Sequence, residues 1–287
     1  VDDSIQRFLQ HLSLERGASE NTIQAYRTDL VQFNRVIKTR GGSELDVHSL
    51  TGKLLEGYVE WLHVQGYKPA TISRKIASTR SFLNYIAKEL DVPIQGILPL
   101  LEAPTPERSA PLTLSPGEAQ SLLQAPRAQS SPGALRDAAI LAVLYETGFR
   151  ATEVVALELS DLDLAERIIW RPPDRSDWRS IDASEPQLRK YLIEGRPHLL
   201  RSPAETTLFL NQRGQQLSRQ GLWLVVKRWG AECNLDPALS PHTLRHTRAR
   251  DLLSAGNSRR EVQEFLGLAS PNGVRVKPRL DEEFEEE

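Results

Sequence analysis

At 287 residues, with 39% apolar and 26% charged side chains, the chain has an ordinary globular composition and length enough for two domains. A formal net charge of −2 excludes a uniformly basic surface, and no apolar run reaches the ~18 residues of a membrane span. The single cysteine, Cys233, excludes an internal disulfide and points to a reducing, cytoplasmic setting; with no metal-ligand spacing around it, it reads as a partly buried small apolar residue.

Residues 1–102 are expected to form a small helical bundle. Ser19 is placed to cap a helix in which Ile23, Tyr26, Leu30 and Phe33 recur at three- and four-residue spacing. A second helix runs through Leu54, Tyr58, Trp61 and Leu62. A third begins near Thr71 and puts Ile72, Ile76, Thr79, Leu83 and Ile86 on one face, with Arg74, Lys75 and Arg80 on others. Residues 103–111 follow as a stiff linker: from Glu102 to Pro111 the chain has three prolines and no large apolar side chain.

A second domain is expected over 112–280. Ser115-Pro116-Gly117-Glu118 joins an N-cap to a first-turn proline and acid. Ala138 to Tyr145 is apolar enough for a buried helix that Gly148 stops, and Arg150 to Leu157 resumes as a short helix after the turn. Arg167 to Arg171 is the best strand signal; Pro172 to Arg175 is a turn, and Trp178 to Ala183 is the returning strand. Helices are expected again near Glu185, over Gln220–Cys233, Thr243–Ala255 and Ser258–Leu266. The predicted fold class is therefore mainly α, a helical N-terminal domain followed by a mostly helical α+β domain with one small hairpin. From Pro241 to Leu280 eight basic residues face three acids, which predicts a local basic surface. Residues 281–287 form an acidic tail, six acids in seven positions.

Three residues of the second domain suit one chemistry. A phosphodiester under attack gains negative charge, so cationic donors in a fixed fork lower the barrier. Arginine binds two oxygens at once and stays protonated, and histidine adds a hydrogen bond or moves protons near neutral pH. Arg150 projects from the turn after Gly148. His242 and Arg245, three apart on a helix starting after Pro241, share a face. Strand cleavage further needs a general acid for the leaving oxygen and an attacking hydroxyl. No glycine-rich phosphate loop and no histidine set at ligand spacing is present, so neither a nucleotide cofactor nor a metal is expected.

Five segments, in order, resemble the tyrosine recombinases, or phage-integrase family, and within them the Xer-type group. Ser19–Leu30 looks like the N-terminal signature of that group, and Thr71–Leu83 is similar to a later helix of its core-binding, SAM-like domain. Thr147-Gly-Phe-Arg-Ala-Thr-Glu-Val154 matches the box of the first catalytic arginine. Ser240-Pro-His-Thr-Leu-Arg-His246 matches the second box, and Leu266-Gly-Leu-Ala-Ser-Pro271 resembles the third. The resemblance implies two domains closing around double-stranded DNA, a tyrosine that forms a 3′-phosphotyrosyl link, and four protomers exchanging strands. It places Arg150, His242 and Arg245 on the scissile phosphate, with His246 a structural neighbour. Arg74, Lys75, Arg80, Arg175 and Arg248 are further candidate DNA contacts, and a homo- or hetero-oligomer on DNA is implied.

Three family positions are replaced. If Arg179 is matched to the arginine after the hairpin turn, the general-acid lysine becomes Asp174, and Arg175 beside it binds its proton too tightly to donate it. The histidine or tryptophan of the third box becomes Leu268. The nucleophile, nine residues further on, becomes Lys277, and the last tyrosine in the chain is Tyr191. The expected function is thus DNA binding within the site-specific recombinase family, without cleavage by this chain alone. Two alternatives stay open. One is an active recombinase that uses Lys277, Ser270 or a tyrosine from a different subunit. The other is a helical structural or interaction protein in which Arg150 and Arg245 form ion pairs with acids.

Overall fold

In a computed structural model the chain divides into two compact units, Val1–Arg108 and Ser109–Glu287. The structure describes residues 2–18, 20–41, 50–91, 94, 96–104, 110–173, 175, 177–268, 273, 274, 276 and 277. Ser19, residues 105–109 of the expected linker, Asp174, Ser270, Arg275, Arg279 and the acidic tail lie outside them.

The first unit holds helices α1 (Asp2–Leu14), α2 (Glu20–Gly41), α3 (Gly52–Val64) and α4 (Pro69–Leu90). The apolar spacings do what they predict. Leu30 and Phe33 of α2, Tyr58 and Leu62 of α3, and Ile72, Ile76, Leu83 and Ile86 of α4 are buried in one core, with Phe33 and Tyr58 edge to face at 4.9 Å. Lys75 departs from its expected exposed face. It is 5% exposed, and its ammonium donates to Asp29 Oδ1 (3.0 Å) and Gln32 Oε1 (2.5 Å). Asp29 also accepts from Arg74 and from Ser78 (3.0 Å), so a fully buried carboxylate is satisfied by three donors from α4. The helical period misplaced Lys75 because it lies beside Ile72 and Thr79, on the edge of the buried stripe.

The second unit is built on α6 (Pro132–Thr147), of which Ala139, Ile140, Leu141, Val143 and Leu144 are fully buried. Before it, α5 (Pro116–Gln124) opens with a reciprocal capping box: Ser115 N–H donates to Glu118 Oε2 (2.7 Å), and Glu118 N–H to Ser115 Oγ (3.3 Å). Gly148 ends α6 with a φ of 61°, and a Cβ there would lie 2.8 Å from Leu266. The chain re-enters a helix at once, α7 (Ala151–Ala156), where Glu153 Oε2 accepts the Arg150 backbone N–H at 2.6 Å.

The predicted hairpin is part of a three-stranded antiparallel sheet, β1 (Leu162–Asp163), β2 (Ile168–Trp170) and β3 (Trp178–Ser180), with Ile169 opposite Arg179. β1 has two residues, too few to leave an alternation signal. After α8 (Glu185–Lys190), a π-helical turn over Tyr191–Gly195 and α9 (Arg196–Leu199) come α10 (Arg219–Glu232), α11 (Pro241–Ser254) and α12 (Arg259–Leu266). α11 packs on α6 and α12 on α11, which brings the third box against the Gly148 turn. No helix among the described residues is long and apolar enough to cross a membrane.

Candidate functional site

The end of α12 organises the site. A helix leaves its last carbonyls without intrahelical partners. Here Gly267, at φ 60°, closes a Schellman turn in which Leu268 N–H donates to Gln263 O (3.0 Å) and Gly267 N–H to Glu264 O (3.1 Å). Arginines from four other places in the chain take the remaining carbonyls. Arg245 of α11 donates to Leu266 O (2.5 Å) and to Gly148 O. Arg171, directly after β2, donates to Phe265 O (2.8 Å) and Leu266 O (3.2 Å). Arg179 of β3 donates to Phe265 O (3.1 Å), and Arg150 to Gly267 O (3.0 Å). Cations at this end also complement the helix dipole.

Arg245 is 6% exposed, and its pKa is pushed down to about 10, first by burial and then by the neighbouring Arg150. The Arg150 side chain is 40% exposed and pairs with Glu153 Oε1 at 2.8 Å. Arg171 pairs with Glu153 (3.4 Å) and Asp177 (3.0 Å) and lies 4.8 Å over the Phe149 ring. Arg179 also pairs with Asp177 and stacks on Phe265 at 4.6 Å. Arg248 lies over the same ring at 5.6 Å, its Nε buried without a hydrogen-bond partner. Among the described residues five guanidinium groups thus gather where two carboxylates, Glu153 and Asp177, touch them, a positive excess.

His242 is exposed. With Ala151, Arg219, Gln220, Trp223, Ser240 and Pro241 it lines an open cleft of about 420 Å³. Ala151 follows Arg150 directly, and Arg245, which feels the charge of Arg150, is one turn along α11 from His242. Arg171 and Arg179 were not expected in this cluster. The sequence signal for Arg171 is its place at the end of a strand, and for Arg179 its match to the family's arginine after the hairpin turn, which by itself did not place it in the cluster.

The remaining candidates are more scattered. Arg175 donates to Asp161 Oδ1 (2.5 Å) and to Ser160, with its side chain 45% exposed. Arg74 is paired with Asp29 while its side chain stays 49% exposed, and the exposed Arg80 donates to Leu101 O (2.5 Å). The basic stretch is partly turned inward. Besides Arg245, Arg250 bonds Thr113, Leu114 O and Asp251, while Arg259 stays exposed and donates to Val274 O (2.7 Å). Counting charges along a chain does not tell which way they point.

At the replaced positions, Leu268 is half-buried against the small core of Ala249, Val262, Leu266, Val274 and Val276. Lys277 is exposed. The residue before it, Val276, gives its carbonyl to Arg259 (3.4 Å), the first residue of α12. Val276 packs in that small core with Leu266, from the last turn of the helix on which the arginine cluster closes.

Neither tyrosine of this unit is a ready nucleophile. Tyr191 is fully buried, donating to Leu208 O and accepting from Leu210 N–H. Tyr145 donates to Asp251 Oδ2 (2.8 Å), and its pKa is raised to about 12, by burial first and then by that bond. Tyr145→Phe is expected to cost about 1.5 kcal/mol in urea unfolding, the worth of a hydrogen bond to a carboxylate, and to leave DNA affinity within twofold. No group of His, Cys, Asp and Glu suited to a metal occurs among the described residues.

Comparison with known proteins follows the same two units. Residues 113–277 match the phage integrase family, and residues 5–89 match the phage integrase N-terminal SAM-like domain. The chain is 36% identical to the tyrosine recombinase XerC of Herpetosiphon aurantiacus over 96% of its own length and 90% of that protein. It is 36% identical to the tyrosine recombinase XerD of Pseudomonas putida, over 95% of this chain and 91% of the relative. Among solved structures, the XerH site-specific recombinase bound to a palindromic difH substrate matches with a TM-score of 0.71 and 22% identity, covering 91% of this chain and 76% of that one. At that identity the likeness speaks to fold.

Proposed function

The chain belongs to the phage integrase family, among its Xer-type tyrosine recombinases, and from that premise we propose that it binds duplex DNA through the arginine cluster without cutting it unaided. One observation carries the reading: a positive excess of guanidinium groups at a single helix end, with no phenol at residue 277 and no lysine at residue 174. Arg150, His242 and Arg245 hold a backbone phosphate, and Arg150 and His242 are the exposed members. Arg74, Arg80, Arg175 and Arg248 add further contacts. Lys75 is left out, because its ammonium is occupied inside the first unit. Assembly into a homo- or hetero-oligomer on DNA follows from the family.

Fluorescence anisotropy with a labelled duplex across a salt series tests this. Binding should weaken steeply with salt, and Arg150→Ala should lower affinity about tenfold and the log–log salt slope by about one. A nicked suicide duplex should trap no covalent protein–DNA adduct. An adduct with the unmodified chain would overturn the proposal.

One observation favours a second reading, in which the clamp residues survive as fold determinants. Arg245 is 6% exposed and already bonds two backbone carbonyls. Absence of duplex binding at low salt would select it.

A further inference from the structure

We propose that Arg171 is the residue that positions Arg150 for phosphate, because it grips both groups on which the Arg150 guanidinium rests; this deepens the DNA-binding reading and rests on it. Arg150 Nη1 lies 2.8 Å from Glu153 Oε1, and Nη2 lies 3.0 Å from Gly267 O. Arg171 Nη1 reaches the same Glu153 oxygen at 3.4 Å, a long contact within an ion pair. It also packs on Gly267 so closely that a Cβ there would lie 2.9 Å from Arg171 Nη1. The two carbonyls preceding Gly267, those of Phe265 and Leu266, are Arg171's own acceptors.

Arg171 is itself well held. It is 8% exposed, its Nε donates to Asp177 Oδ2 (3.0 Å), and its plane lies 4.8 Å from the Phe149 ring. These contacts use four of its five N–H groups. Without them Glu153 Oε1 keeps, among the described residues, only Arg150 itself as a partner. The Gly267 turn keeps its Schellman bonds and those of Arg179 and Arg245 but loses the one side chain besides Arg150 that ties it to Glu153. Arg150, the clamp arm open to solvent, then has to be ordered at the moment of binding. The role requires a fork, since one guanidinium spans a carboxylate and two carbonyls, whereas an ammonium brings the charge without the spread.

The experiment uses the full chain and reads two quantities. The first is the ¹⁵N order parameter of the Arg150 side-chain Nε in DNA-free protein. The second is duplex affinity, measured for the unmodified chain, Arg171→Lys, Arg171→Ala, Arg150→Ala and the double variant Arg150→Ala/Arg171→Ala. The order parameter should fall from the rigid range, near ~0.85, to below about 0.6 in both Arg171 variants. Affinity should fall about tenfold in each, equivalent to about 1.4 kcal/mol, and Arg171→Ala should add nothing to Arg150→Ala. An unchanged order parameter overturns the proposal. So does an equal tenfold loss in the Arg150→Ala background, which would mean direct contact or general destabilisation, and so does Arg171→Lys binding like the unmodified chain. Should Arg171→Ala fail to fold, as circular dichroism reports, Arg171→Lys carries both readouts. If the unmodified chain binds no duplex, the DNA-binding reading fails while the order parameter still decides the role of Arg171.

Discussion

Arg245→Ala is expected to lower the unfolding free energy by about 3 kcal/mol, measured by urea denaturation at neutral pH. The guanidinium joins the Gly148 turn to the last turn of α12 by bonding one carbonyl of each. Its removal takes the Gly148 carbonyl's guanidinium partner, at ~1–3 kcal/mol for a buried acceptor, leaves the Leu266 carbonyl to the longer Arg171 bond (3.2 Å), and opens a cavity. Part of that loss is offset, because a buried charge beside Arg150 also disappears; the fall of the Arg245 pKa to about 10 records that strain. Arg245→Met separates the two contributions. It restores most of the volume but neither hydrogen bond, so it should recover roughly half of the loss. If Arg245→Met proved as stable as the unmodified protein, the guanidinium would be a phosphate ligand kept at the expense of stability, and not a brace of the fold.

The second large effect is a gain of reaction. Asp174→Lys combined with Lys277→Tyr should form a covalent adduct on a nicked duplex at least ~100-fold faster than Lys277→Tyr alone, the usual worth of a positioned general acid. The unmodified chain should form none. In this structure Lys277 is exposed, and the residue before it gives its carbonyl to Arg259. The single variant, lacking the proton donor, should stay below detection in a denaturing gel. Equal rates for the single and double variants would show that a proton donor at 174 is not what the chain lacks.

Much of the site could be read before folding, residue by residue. The proline at the head of α11 and the glycine before Arg150 announced where His242, Arg245 and Arg150 stand on their elements, and the structure brings those elements together. Arg171 stayed hidden, since an arginine beside a strand reads equally well as a solvated flank, and the match of Arg179 to the family's hairpin arginine did not tell what it bonds. Lys75 was misread for a related reason: at the edge of an apolar stripe, burial depends on whether a partner such as Asp29 waits across the interface. The inward turn of Arg250 was likewise invisible to a count of charges.

The amino-acid order by itself determined the helices, their caps and the family motifs, because caps and periodicity act within about four residues and are written where they act. Ser115 with Glu118, and Gly148 at the end of α6, are examples. Only the tertiary structure decided which cations meet and what they bond. Arg150 finds Gly267 across 117 positions, and Arg171 finds Leu266 across 95. Hydrogen bonds of such reach depend on how α12, the sheet and the Gly148 turn pack together, and packing is a property of the whole core that no local stretch of residues contains.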